Sequence, residues 1–174
     1  ARGTALFSVG AAFTSVGAAI LNGMNDATVA AAGYDRLARM TMTQVDGVKV
    51  SLEELKDAAI DVGRKVPVPL EELQSTLYDI YSTIDVNHPQ AIKLLEAFAQ
   101  TAVTGQSDIR RSAMTTIAIL NAFQMPIESI TRLQDVQFQA VRKGAMTYEE
   151  LASNIGKAIP AAVTAGQTFE DLAS

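Results

Sequence analysis

The sequence predicts an all-α fold, an array of about seven short helices joined by tight turns and preceded by a helix rich in small residues. Three observations carry this prediction. One helix-start motif occurs four times, helix-start signals recur every 18 to 21 residues, and apolar residues follow a three-and-four spacing. No stretch alternates between apolar and polar residues for long enough to indicate a β-sheet.

The recurring motif is a Ser, Thr or Pro followed by an apolar residue, two acids and Leu. It occurs at Ser51–Leu55, Pro69–Leu73, Thr147–Leu151 and Thr168–Leu172. A hydroxyl accepts a hydrogen bond from a free N–H of the first turn, and proline has no N–H to satisfy. The acid three residues after Ser or Thr closes a capping box, and both acids face the positive end of the helix dipole. The motif therefore indicates helix starts, and its paired acids are interpreted as structural.

Start signals and stop signals together divide the chain into units of one helix of about 15 residues and a short loop. The starts fall at Ser51, Pro69, Pro89, Ser107, Pro126, Thr147 and Thr168. Left-handed helix caps are predicted at Gly105, Gly144 and Gly166. Positive charge is predicted at the ends of two helices, at Arg64–Lys65 and Arg142–Lys143.

Each unit from residue 70 onward carries an apolar stripe that predicts its buried face. The stripes are Leu70, Leu73, Leu77, Ile80 and Ile84; Ala91, Leu94, Leu95, Phe98 and Ala102; Ile109, Ala113, Ile117 and Leu120; Ile130, Leu133, Val136 and Ala140; and Tyr148, Leu151, Ile155, Ile159 and Ala162. Met40, Met42, Met114 and Met125 are interpreted as core filler in preference to a plastic binding groove.

The first segment, residues 1–46, differs from the core region at 47–174 because it is rich in Gly and Ala, and residues 3–25 carry no charge. Phe13, Val16 and Ile20 form an apolar stripe, and Gly10 and Gly17 would let another helix approach closely. The favoured interpretation is a helix packed against sister helices, with this stripe as the oligomer contact. Membrane contact through residues 3–25 and a disordered leader remain alternatives.

Composition narrows the classes of function. Apolar residues make up 48% of the 174-residue chain, charged residues 19%, and mean hydropathy is +0.15, which indicates surface reserved for partner chains. A net charge of −5 argues against binding nucleic acid through phosphate neutralisation. The chain has no Cys and no Trp, so thiolate metal sites are excluded.

No residue pattern indicates catalysis. The acid pairs lie in solvated first turns, no Gly-x-Ser-x-Gly elbow accompanies His88, and no glycine-rich phosphate loop is present. His88 is expected at a helix entry or in a loop, without metal partners, and Arg110–Arg111 are expected to form surface salt bridges or partner contacts. We therefore predict no catalytic, cofactor-binding or metal-binding residue, and no enzyme.

From about Leu52 to Ser174 the order of these signals resembles the core region of tape measure proteins of long-tailed bacteriophages. Residues 55–105, 113–123 and 132–174 carry the likeness, and its most specific features are Asp135 followed by the series Gly144, Thr147, Glu150, Leu151, Gly156, Pro160, Ala161, Ala162 and Gly166. Members tend to have Gly near 85–87, where this chain has Asn87, which is expected to take the same left-handed cap.

The resemblance implies a structural virion protein in the tail lumen or tail tip, made in the host cytoplasm. It would set tail length during assembly and leave ahead of the DNA at infection. It also implies a homo-oligomer of three copies in contact with tail tube proteins, tail tip proteins and a tail assembly chaperone. The likeness and the short C-terminal unit both predict a fragment of a longer chain.

Two other functions stay open at this point. Helix starts about 20 residues apart would also suit a helical-repeat protein-binding module, which predicts a stable monomer. The uncharged residues 3–25 would also suit the membrane-penetrating part of a phage infection protein.

Overall fold

The computed structural model describes residues 29–45, 50–144 and 146–173. Within these ranges the chain is helical and has no strand, which confirms the predicted fold class. The helices are α1 (29–42), α2 (Leu52–Lys65), α3 (Leu70–Thr83), α4 (His88–Gly105), α5 (Ile109–Ala122), α6 (Ile130–Gly144), α7 (Tyr148–Thr164) and α8 (Phe169–Ala173). A 3₁₀ turn, Ile127–Ser129, precedes α6. The stripe Phe13, Val16 and Ile20, like the whole of residues 3–25, lies outside the described residues.

The principal contacts of α2 to α8 follow a simple rule, because each helix packs on the next one and on the one after that. Thus α3 packs on α4 and α5, α5 on α6 and α7, and α6 on α7 and α8. Even-numbered helices form one layer and odd-numbered helices the other. This is the packing of a short helical stack in which contacts link near neighbours in sequence.

The predicted capping boxes close at the motif serine and threonines. In α2 the Ser51 hydroxyl accepts from Glu54 N–H at 3.2 Å, while Glu54 Oε2 accepts from Ser51 N–H at 2.7 Å. Thr147 and Glu150 form the same pair at the start of α7. Before α8, Asp171 accepts from Thr168 N–H at 2.9 Å. These starts are confirmed.

Three predicted starts are shifted by one to four residues. α4 begins at His88, capped by Asn87 through a box with Gln90, and not at Pro89. α5 is capped by Asp108, whose carboxylate accepts from Arg111 N–H at 2.8 Å, and not by Ser107. The Asn and Asp oxygens reach the free N–H groups directly, so they displace the neighbouring signals. Pro126 opens the 3₁₀ turn, which delays α6 to Ile130.

The predicted left-handed caps are correct at one glycine of three. Gly166 has a φ of 70°. Gly105 instead remains helical as the last residue of α4, and the left-handed residue is Gln106 with a φ of 50°. A Cβ on Gly105 would lie 3.3 Å from Cβ of Tyr148, so this glycine permits a close helix approach.

The other two expectations about chain reversals are also wrong. Gly144 is the last residue of α6, and its φ is not positive, so it does not form a left-handed cap. Asn87 has an extended backbone with a φ of −79°, because its side chain is used to cap α4. The basic pairs Arg64–Lys65 and Arg142–Lys143 do lie in the last turns of α2 and α6, as predicted.

The apolar stripes form one core between the two layers, with exceptions at its margins. Leu73, Leu77 and Ile80 of α3 and the whole α4 stripe are buried, but Leu70 is 42% exposed at the first residue of its helix. The interpretation of the methionines as core filler is wrong for Met40, Met42 and Met114, which are 38%, 37% and 44% exposed. These three lie on helix faces turned away from the core, while Met125 packs against it.

Helix α1 contacts α2 and α3 through hydrogen bonds and an ion pair. The Tyr34 hydroxyl donates to the Lys56 carbonyl at 2.5 Å, and the Lys56 ammonium pairs with Asp35. Burial raises the pKa of Tyr34 to about 12, which keeps the donor protonated. The Gln74 amide donates to Thr41 Oγ1 at 3.2 Å inside this interface, and Gln74 Oε1 has no hydrogen-bond partner among the residues that the structure describes.

Candidate interaction surface

The paired acids lie at exposed helix starts, and the second acid of each Ser or Thr motif accepts a hydrogen bond from the backbone N–H of the capping residue. The hydrogen bond from Ser51 N–H holds the pKa of Glu54 below its ordinary value, and hydrogen bonds from Thr168 do the same to the pKa of Asp171. A carboxylate held in its charged form by N–H donors is a poor general acid. The capping role predicted for the motif acids is confirmed for Glu54, Glu150 and Asp171, whereas the motif at Pro69 has no side-chain cap.

His88 is the first residue of α4, so the helix-entry role expected for it is confirmed. Its Nδ1 is 2.7 Å from the Tyr81 hydroxyl. Burial lowers the pKa of His88 and raises the pKa of Tyr81 to about 12, so both groups favour their neutral forms. Within the described ranges no cluster of three or more His, Asp or Glu side chains is arranged to hold a metal ion.

The arginine pair forms the predicted salt bridges, and these bridges connect helices of the stack. Arg110 Nε lies 2.6 Å from Oδ2 of Asp79 on α3, and a second guanidinium nitrogen lies 3.2 Å from Oδ1. This bidentate contact raises the pKa of Arg110 and pairs a carboxylate whose side chain is only 7% exposed. Arg111 lies 3.6 Å from Glu149 on α7.

A row of depressions begins at the edge of the stack where α4 and α6 end and α5 and α7 begin, and its last member extends along α7 to the end of α8. We call this row the edge furrow. Its first depression, about 240 Å³, is lined by Val68, Pro69, Val103 and Gln106, among others. Gln106 also lines the second, of about 620 Å³. Arg142 lines both the second and the third, of about 430 Å³, and Lys143 lines both the third and the fourth, of about 360 Å³.

The walls of the edge furrow combine apolar side chains with two cations and two acids, Glu72 in the first depression and Glu149 in the second. Phe138 and Tyr148 line the second depression, with ring centroids 5.6 Å apart. Met146, Leu151, Ile155 and Leu172 line the fourth. Arg142 and Lys143 are exposed, and neither forms an ion pair within the described part of the chain.

Sequence reasoning did not find this furrow. Its lining residues come from four loops and helix ends spread from Pro67 to Ala173. A usable signal was present, since alternate loops of an up-and-down helical array lie at the same edge. The segments at 66–69, 106–108 and 146–147 could therefore have been grouped from the order of the predicted helices alone.

Comparison with known proteins decides the family. A family model described as phage-related minor tail protein matches residues 56–174. The chain belongs to this family. It is similar to a "probable tape measure protein" of Clostridium phage phiCD119, with 24% identity over 162 residues that cover 91% of this chain. The chain spans 17% of the length of that relative. No solved structure matches it.

Membership in a phage minor tail protein family confirms the resemblance drawn from the sequence. It also rules out a helical-repeat module unrelated to phage, although the stacking of helices which that hypothesis supposed is present. In the part of this tail protein that the structure describes, no helix is both long enough and apolar enough to cross a membrane.

Proposed function

We propose that this chain is a folded, non-catalytic segment of a phage tail tape measure protein, and that it contacts other tail components in the virion. The observation that carries the proposal is the match to a tape measure protein over 91% of the chain. The geometry supports it, because the motif acids serve as helix caps and the described surface offers a furrow in place of a catalytic cluster.

The fold limits how much this segment can contribute to the length of the tail. A straight helix of residues 52–173 would be about 180 Å long at the rise of an α-helix. The stack instead reverses direction after every helix, so its extent is set by a few helix lengths of about 20 to 27 Å each. We propose that the whole protein sets tail length, while this segment, as folded here, adds little to that length.

Deletions in the full-length gene test whether this segment adds little to the tail length that the whole protein sets. Removing residues 52–173 should shorten the tail by no more than about 30 Å, the size of the folded stack. Removing an equal number of residues from a continuous helical stretch elsewhere in the gene should shorten it by about 180 Å. Tail lengths are measured by electron microscopy of negatively stained particles.

A duplication of residues 52–173 keeps the test decisive if the deletion prevents tail assembly. The duplicated protein should give tails within about 30 Å of the normal length. Tails lengthened by about 180 Å would show that this segment is extended in the virion and would overturn the proposal for the folded stack.

We further propose that the tape measure acts as a homo-oligomer of three copies joined through Phe13, Val16 and Ile20. The support is the charge-free, small-residue sequence around this stripe. Replacing Val16 and Ile20 with Gln should convert a trimer to a monomer in sedimentation velocity. Val29→Gln, a change at a 65% exposed position of α1, is the matched control and should leave the trimer intact. A monomeric wild-type chain would contradict the proposed homo-oligomer of three copies.

The ejection role and the membrane alternative share one experiment. If residues 3–25 contact the host membrane when the protein leaves ahead of the DNA, a peptide of this sequence should release dye from liposomes of bacterial lipids. The V16Q/I20Q peptide, which keeps the length and zero charge, should release much less. Absence of leakage from both peptides would remove membrane contact from the proposed function.

A further inference from the structure

The edge furrow has the length of a short helix. Helices in one layer pack about 8 to 10 Å apart, so the distance from α4 across α6 to α8 is about 20 Å. A partner helix of about 13 residues covers that distance. Its apolar face would meet the walls formed by Phe138 and Met146 and by Leu151, Ile155 and Leu172.

The charge of the furrow selects the partner. Arg142 and Lys143 lie where three depressions join, and no described acid pairs with either. Two acids also line the furrow. Glu149 in the second depression is already paired with Arg111, and Glu72 lies in the first depression, which neither cation lines. The chain as a whole carries a net charge of −5, so this cationic centre differs from its surroundings.

We propose that the edge furrow binds an amphipathic, acidic helix of about 13 residues from a partner protein. The apolar face of that helix would fill the depressions, and carboxylates beside this face would pair with Arg142 and Lys143. The inference goes beyond the proposed function, because it holds whichever part of the protein sets tail length. A tail-length result and a binding result can therefore fail independently.

The probe is a fluorescein-labelled peptide with Leu at positions i, i+3, i+4 and i+7 and Glu on both flanks of that stripe. Fluorescence anisotropy measures its binding to the 174-residue chain. A second peptide with every Glu replaced by Lys should bind about tenfold more weakly, the value of two exposed charge pairs of ordinary strength. Affinity for the Glu peptide should fall as salt is raised.

A charge swap on the protein decides whether the furrow is the site. The variant R142E/K143E should lose about tenfold in affinity for the Glu peptide and gain affinity for the Lys peptide. R36E/K93E is the matched control: it reverses the same number of charges on exposed residues of α1 and α4 that do not line the furrow. Circular dichroism establishes that both variants are folded.

Two outcomes overturn the proposal. The first is equal binding of both peptides to the wild-type chain, or an equal effect of the two double variants, since either places the contact outside the furrow. The second is a chain that binds neither peptide but forms an oligomer that R142E/K143E dissociates in sedimentation velocity. That result would assign the furrow to a second copy of this chain.

Discussion

The middle helices and the last helices carry the same kind of apolar stripe but bury it to different degrees. Leu73, Leu77 and Ile80 on α3 are fully buried, whereas Leu151, Ile155 and Ile159 on α7 retain 6 to 8% exposure. Helices α3 and α4 have full-length neighbours on both sides in the stack, while α7 is flanked at its outer side by the five-residue α8. Closure of the core therefore depends on neighbours, and the open end forms part of the edge furrow.

The largest expected loss of stability compares the closed core around α3 with the more open core around α7. Leu77→Ala removes a side chain from the closed region and should lower the free energy of unfolding by about 3 to 4 kcal/mol. Leu151→Ala, beside the fourth depression, should lower it by about 2 kcal/mol because fewer atoms surround the side chain. Urea denaturation measures both values, and equal losses would refute the claimed difference in closure.

The next largest loss of stability tests how Arg110 stabilises the buried carboxylate of Asp79 on α3. Arg110→Ala leaves the Asp79 carboxylate buried without its partner and should cost about 2 kcal/mol, less than in a fully buried pair because Arg110 itself is 62% exposed. Arg111→Ala, which removes an exposed pair to Glu149, should cost at most about 0.5 kcal/mol. The same denaturation series compares the neighbouring arginines, and a reversed order would contradict this account.

A smaller effect concerns the polar seam where α7 meets α5 and α6. The Tyr148 hydroxyl donates to Gln137 Oε1 at 2.7 Å, and Gln137 also contacts Thr116 at 3.4 Å. Tyr148→Phe should cost about 1 kcal/mol and increase hydrogen exchange in α7. Tyr78→Phe, at a half-buried tyrosine on α3, is the control and should have little effect. Unchanged exchange in α7 after Tyr148→Phe would show that the seam is not held by this bond.

The smallest effect is a pH dependence that one capping box has and another lacks. The pKa of Glu54 is lowered by its bond from Ser51 N–H, so its stabilising contribution is present above the unfolded value of 4.5 and is lost as pH falls through the lower folded value. The difference in Tm between wild type and Glu54→Gln should therefore shrink as pH falls below about 4.5. The box of α4 uses Gln90, so the Tm difference for Gln90→Ala should stay constant.

Local chemistry predicted most of the fold. The capping boxes at Ser51 and Thr147 and the stripes of α4, α5 and α7 could be read from residues within one or two helical turns. Errors arose where two signals competed within three residues. Asn87 and Asp108 displaced the starts expected at Pro89 and Ser107 because their side-chain oxygens reach free N–H groups.

The edge furrow and the buried ion pair were beyond this kind of reasoning. Arg110 and Asp79 are 31 residues apart, and the local sequence around either residue does not predict that they pair. Gly105 was expected to reverse the chain, but its role is contact with Tyr148 from a distant helix. Such pairings depend on which helices become neighbours, and that information is global.

The near-neighbour contact rule of the stack has a mechanical consequence. A pull on either end of α2–α8 loads the few interfaces of one terminal helix, because the principal contacts stay within two helices along the chain. The array can then come apart one helix at a time. Passage through a narrow opening would require a series of small forces, with no step at which the whole core must rupture together.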